Sequence, residues 1–133
     1  MDNEKQTNIL AIDDNATQLK IFEKLLNDKY ELSLVKSAPE ALKLLKIKTF
    51  NLILLDIEMP DVSGFEFLHE IRKIPQYMTT PVVIITSHSE SEILEHAKNS
   101  SASGVLTKPV KSEQLFKAID LAISGPSVDP FHL

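Results

Sequence analysis

The 133-residue chain has no cysteine, no tryptophan and only three glycines. Nor has it any apolar stretch near the roughly 20 residues that a bilayer-spanning helix needs. Without cysteine there is no disulfide framework and no thiolate zinc site. His69, His88, His96 and His132 form no HExxH pair or other zinc-binding spacing. The glycines, Gly64, Gly104 and Gly125, are scattered, and no GxxxxGK[ST] loop for nucleotide phosphates exists. Basic residues are outnumbered 14 to 19, giving a net charge of -5, which speaks against sequence-independent nucleic-acid binding. The opening residues, Met1-Asp2-Asn3-Glu4-Lys5-Gln6, are polar and acidic, unlike a signal peptide. A cytoplasmic protein is therefore expected, with neither membrane nor nucleic acid as direct partner. The length suits one domain able to bury about two-thirds of its unfolded surface.

What is present is a set of short apolar runs that end in polar residues. Asn8-Ile9-Leu10-Ala11-Ile12 is followed by Asp13-Asp14, and Asn51-Leu52-Ile53-Leu54-Leu55 by Asp56. Val82-Val83-Ile84-Ile85 ends in Thr86-Ser87, and Gly104-Val105-Leu106-Thr107 in Lys108-Pro109. The runs before Asp13, Asp56 and Thr86 do not alternate, as strands covered on both faces must not. Tyr30 to Val35 does alternate and reads as an edge strand.

Helical patterns separate the runs. Asn15 can cap a helix from Ala16 to about Asn27, with Leu19, Phe22 and Leu26 on one face. Pro39 suits a first helical position, before Ala41, Leu42 and Leu45. Asp61-Val62-Ser63-Gly64 reads as a turn into a helix carrying Phe65, Leu68 and Ile71. In that helix Phe65 and Phe67 are assigned to the core, and Arg72-Lys73 to a solvated face. The last helix opens at Ser112, with Leu115, Ile119 and Ala122 inward and Phe116 and Ile123 alongside. Between Thr86 and Gly104 six serines compete with helical hydrogen bonding, and the apolar stripe is only Ile93, Leu94 and Ala97. That helix should be weakly packed and cheap to move. The order βα five times over implies an α/β domain with a parallel sheet and helices on both faces.

If the runs are parallel strands, Asp13, Asp14, Asp56, Thr86 and Lys108 gather at one sheet edge, where open α/β sheets hold ligands. Three carboxylates so placed raise one another's pKa unless a cation sits among them. Mg²⁺, or Mn²⁺ in its place, fits: it is hard and prefers oxygen. Together with Lys108 it would balance the acidic charge and receive a phosphoryl group. Asp56 can then attack in line, with Thr86 donating to a phosphoryl oxygen. Taken singly, each residue has a plainer reading. Asp13-Asp14 suits a helix N-terminus, Asp56 a turn, Thr86 a strand end and Lys108 solvent.

From Ile9 to Ile123 the chain resembles the receiver domains of two-component response regulators. The resemblance rests on Asp13-Asp14, Asp56 with Met59-Pro60 and Gly64, Thr86, and Lys108-Pro109, in this order and spacing. It implies a flavodoxin-like (βα)5 domain over residues 7–124, strand order 2-1-3-4-5, with residues 125–133 a tail or linker stub. It implies that Asp56 is the phospho-acceptor, served by a sensor histidine kinase or a histidine phosphotransfer protein. Metal ligands would be Asp14, Asp56 and the Glu58 carbonyl, with Asp13 acting through water. The Lys108-Pro109 bond is expected to be cis. Phosphorylation would draw Thr86 inward and alter the surface of the last two strands and helices, toward an unidentified downstream protein or output domain. The domain would act on itself alone, and so is not expected to be an enzyme in the ordinary sense.

The sequence departs from that family at Val105, where an aromatic residue is usual. A β-branched side chain has a stiff χ1 and little bulk to swing. The signal is therefore expected to pass through backbone movement of the Thr86–Ser91 loop. Glu58 and His88 occupy family positions that flank the hydrolytic water and are expected to set phosphoryl lifetime. Two other classes compete. An aspartate-nucleophile phosphatase of the haloacid dehalogenase type is suggested by Leu54-Leu55-Asp56-Ile57-Glu58, but there the nucleophile precedes the paired acids and a cap domain follows. An inert receiver-like binding module would lack one of the key residues, and all are present here.

Overall fold

Strands β1 (Asn8–Ile12), β3 (Leu52–Asp56) and β4 (Val82–Thr86) are apolar at nearly every position because both of their faces are covered. The structure is a computed structural model that describes residues 7–60 and 62–124. The expected tail at 125–133, the first six residues and Asp61 of the anticipated turn lie outside them. Strands β2 (Glu31–Val35) and β5 (Gly104–Thr107) complete a five-stranded parallel sheet of order β2-β1-β3-β4-β5. Glu31–Val35 is indeed an edge, and its middle residues are only half-buried.

Each strand is followed by a helix: α1 (Ala16–Leu26), α2 (Ala38–Ile47), α3 (Gly64–Arg72), α4 (Glu90–Asn99) and α5 (Ser112–Ser124). The period of two along β3 splits the core. Ile53 and Leu55 face Ala41 and Leu45 of α2 and Phe67, Leu68 and Ile71 of α3. Leu52 and Leu54 face Leu19, Phe22 and Leu26 of α1 and Leu115 and Ile119 of α5.

Capping is local and legible in part. Asn15 accepts a bond from the Gln18 amide at the start of α1. Ser37, not Pro39, sets the start of α2: its hydroxyl accepts from the Glu40 amide, which makes Ala38 the first helical residue and Pro39 the second. Ile123, expected beside the core, is 42% exposed and lies one residue from the end of α5. The helix expected to be weak is weakly held. Ser89 forms no side-chain cap to α4, and Ala97 is its one fully buried side chain among those described. The side chain of Leu94, part of the expected stripe, lies outside the description.

Arg72 corrects the reading of a solvated face. Its guanidinium is half-buried and donates to the Tyr77 and Thr80 carbonyls and to the Ser101 hydroxyl and carbonyl, at 2.6 to 2.9 Å. Burial lowers its pKa. Lys73 does face solvent and pairs with Glu70 at 3.0 Å.

Gly64 is required by space. A Cβ there would sit 2.2 Å from the Ile57 Cα, and the Gly64 amide donates to the Ile57 carbonyl at 3.1 Å. Overpacking of this kind costs about 1–3 kcal/mol. Gly64→Ala should therefore lower the urea midpoint with an unchanged slope; an unaltered midpoint would contradict this close approach.

Candidate functional site

The pairing register decides which residues meet at the carboxyl edge of the sheet. Ile12 lies opposite Leu55, which brings Asp13 level with Asp56. Asp56 lies opposite Ile85 and Thr86 opposite Thr107, so Thr86 and Lys108 follow one step on. Carboxylate oxygens of Asp13, Asp14 and Asp56 all lie within 4.8 Å of one another, although 43 positions separate the first from the last. Asp13 and Asp56 are 0% and 1% exposed, whereas Asp14 faces solvent and forms the mouth. The Lys108-Pro109 peptide is cis.

Each buried oxygen has an assignable neighbour. Asp13 Oδ1 accepts from the Asn15 amide and Asp56 Oδ1 from the Glu58 amide, both at 2.9 Å. The Lys108 ammonium lies 3.2 Å from Asp13 Oδ2 and 3.5 Å from Asp56 Oδ2. Asp13 Oδ2 is buried and accepts no hydrogen bond, so that lysine charge is its recorded partner. Burial, joined by the charge of Asp13, pushes the Asp56 carboxyl up to about 6, against the Glu58 amide and Lys108, which pull it down. Burial would depress Lys108, but Asp13 and Asp56 outweigh it and hold its pKa above the ordinary value.

A hard cation fits this set. Three oxygen donors converge, one buried carboxylate oxygen has no hydrogen bond among the described residues, and burial, joined by the charge of Asp13, raises the pKa of Asp56. The side chain of Glu58 points elsewhere. Its carboxylate accepts from the Ser87 amide at 2.7 Å and the Ser87 hydroxyl at 2.8 Å, and pairs with His88 Nε2 at 3.1 Å. Burial would raise Glu58, but those donors overcome it and lower its pKa. The Thr86 hydroxyl is fully buried and accepts from the His88 amide at 3.0 Å, closing its own loop. Glu58, Ser87 and His88 thus lock the loop after β3 to the loop after β4. Sequence singled out Glu58 and His88 but missed Ser87 between them, whose serine-rich context looked only helix-breaking.

Set beside known proteins, this geometry has a clear place. A family model for the response regulator receiver domain matches residues 9–120. The chain belongs to that family. Receivers of this kind serve phosphorylation-dependent signalling in two-component systems and are switches, not classical enzymes. A solved structure of the chemotaxis response regulator CheY4 of Vibrio cholerae superposes with a TM-score of 0.80 at 31% identity, covering 86% of this receiver and 96% of that chain. The signal transduction histidine-protein kinase BarA of Escherichia coli is 34% identical over 80% of this receiver but only 12% of its own length. An uncharacterized 14.6 kDa protein of Leptolyngbya boryana is 30% identical, with 86% of this receiver and 88% of that protein aligned. The chain thus spans a small fraction of some relatives and nearly all of others. No helix among the described residues is long and apolar enough to cross a membrane.

Asp56 gives a pH test. An unfolded aspartate titrates near 3.9, below the value of about 6 in the folded metal-free protein. Between those values the folded state holds more protons, so this residue's contribution to stability is present at low pH and lost as pH rises through 6. Glu58 acts oppositely, contributing above its unfolded pKa and losing that contribution on acidification. The difference between wild type and Asp56→Asn isolates the first effect. Without metal, the variant should gain on wild type by about 1–3 kcal/mol between pH 4 and 7, and Mg²⁺ should erase the gain. A constant difference in denaturant midpoints across that range would refute it.

Proposed function

We propose that the domain spanning residues 7–124 is a phosphorylation-driven switch in which Asp56 accepts a phosphoryl group from a phosphohistidine. The donor is a sensor histidine kinase or a histidine phosphotransfer protein, in the cytoplasm. The observation that carries this reading is the convergence of Asp13, Asp14, Asp56 and Lys108.

In the transfer an Asp56 oxygen attacks phosphorus in line, the P–N bond breaks, and the imidazole leaves with the bonding electrons. Asp13, Asp14, Asp56 and the Glu58 carbonyl would hold Mg²⁺, or Mn²⁺, with Asp13 acting through water. When bound, the ion neutralises charge on the phosphoryl oxygens. Lys108 stands near the acceptor and supplies a second positive charge. Its raised pKa means that the ammonium stays protonated throughout the working range. Thr86 Oγ1 accepts from the His88 amide and keeps its own O–H free to donate to a phosphoryl oxygen. Because that bond ties the hydroxyl to the His88 amide, drawing Thr86 toward the phosphoryl group pulls the Ser87–His88 segment, and with it the start of α4. The altered surface spans α4, β5 and α5 and addresses a downstream protein or output domain.

Incubating the full chain with acetyl phosphate and Mg²⁺ should add one phosphoryl mass to the wild type and none to Asp56→Asn. Labelling of the variant, or none of the wild type, would exclude the assignment. Continuous turnover of a simple phosphomonoester would instead favour a phosphatase.

Glu58 and His88 set how readily the loop opens beside the acceptor. Replacing either should change the phosphoryl half-life by about fivefold, the scale of one net hydrogen bond, without abolishing labelling. Equal decay in wild type, Glu58→Gln and His88→Ala would remove them from that role.

A further inference from the structure

Helix α4 buries little side chain among its described residues, and one of its contacts is a ring stack that joins it to α3. Phe65, in the first turn of α3, lies against His96 of α4 with ring centroids 4.0 Å apart and planes 7° from parallel. The start of α4 has no side-chain cap, and Ala97 is its one fully buried residue among the side chains described. Its exit is anchored differently. Arg72 of α3 grips both the hydroxyl and the carbonyl of Ser101, and the Ser100 hydroxyl donates to the Ala97 carbonyl at 2.6 Å. The helix is thus pinned just past its carboxyl end, touched in its last turn by a ring, and joined at its uncapped start to the Thr86–Ser89 loop.

The input side of that ring is stiff. The Gly64 amide bonds the Ile57 carbonyl, with no room between the two backbones for even a methyl group. Glu58 and Ser63 form an isolated bridge beside it. Ile57 and Glu58 directly follow Asp56, so a displacement of the strand end carries the first turn of α3, and Phe65, with it. Position 105 offers no comparable part: Val105 is half-buried, β-branched and short.

We propose that Phe65 and His96 are positioning residues that pass the state of the Asp56 pocket to α4. The inference rests on the reading of Asp56 as phospho-acceptor. A strand end that shifts on loading tips the first turn of α3. The phenyl face then drives the imidazole face, and α4 pivots about its Arg72-held exit. Stacked rings suit this because they carry a displacement over a broad contact, and packed elements change between discrete arrangements.

The test uses the full chain with beryllofluoride and Mg²⁺ as a phosphoryl mimic. It reads amide exchange over residues 87–99, together with phosphoryl mass gain on Asp56 from acetyl phosphate. In wild type the mimic should alter that exchange. Phe65→Leu and His96→Ala should cut the alteration at least about threefold while leaving the mass gain within about twofold, and His96→Tyr should restore it. An alteration of wild-type size in both variants would overturn the proposal. So would fast exchange with and without the mimic in His96→Ala that His96→Tyr fails to repair, since that marks a contact serving stability alone. A wild type that gains no mass on Asp56 would remove the acceptor reading, and this inference with it.

Discussion

Crowding of negative charge in a nearly dry place is the constraint on which this molecule turns. Asp13 and Asp56 are buried side by side, Asp14 closes the mouth, and among the described residues Lys108 is the ammonium that lies against them. Burial, joined by the charge of Asp13, pushes the Asp56 carboxyl up to about 6, a direction that a bound divalent cation would oppose. In the proposed function, the same shortage of positive charge is what a metal and then a phosphoryl group would exploit. Stability and chemistry therefore draw on one arrangement of oxygens.

The sheet exists in a form that enforces this crowding. Strands β1 and β3 are apolar on both faces, so a slip in their register would expose or mismatch the core. Fixing Ile12 against Leu55 fixes Asp13 against Asp56. On the far side, Glu58 ties the loop after β3 to Ser87 and His88, while Thr86 bonds the His88 amide. The Asp56 strand and the Thr86 strand are thus coupled by side chains from the residues that follow them.

Much of this was legible in the chain itself. Non-alternating apolar runs ending in Asp13, Asp56 and Thr86 announce buried parallel strands, the Lys108-Pro109 that closes a fourth run joins their shared edge, and the alternating run to Val35 announces an outer strand. Other features had no local signal. Arg72 sits in a polar dipeptide like many surface pairs, and its partners are loop carbonyls and a serine 29 positions away. The stack of Phe65 on His96 joins residues that nothing in either helix pairs, since each ring alone fits a generic amphipathic pattern. Ser37 displaced Pro39 from the helix start because a hydroxyl reaching the Glu40 amide outweighs the preference of proline for the first position. Interactions between elements, unlike those within one, leave no periodic trace in a single sequence.

Those inter-element contacts also decide how a signal would leave the pocket. Among the described residues, α4 meets α3 through a single ring stack and buries only Ala97 fully, so its hold on the core is slight. The central claim remains the convergence of three carboxylates on one cation. Its most direct test is a crystal grown with Mn²⁺ and measured at the manganese absorption edge. One anomalous peak is expected within ligand distance of Asp14 and Asp56, beside the Glu58 carbonyl and near Asp13. No peak there, or a peak elsewhere on the surface, would contradict it.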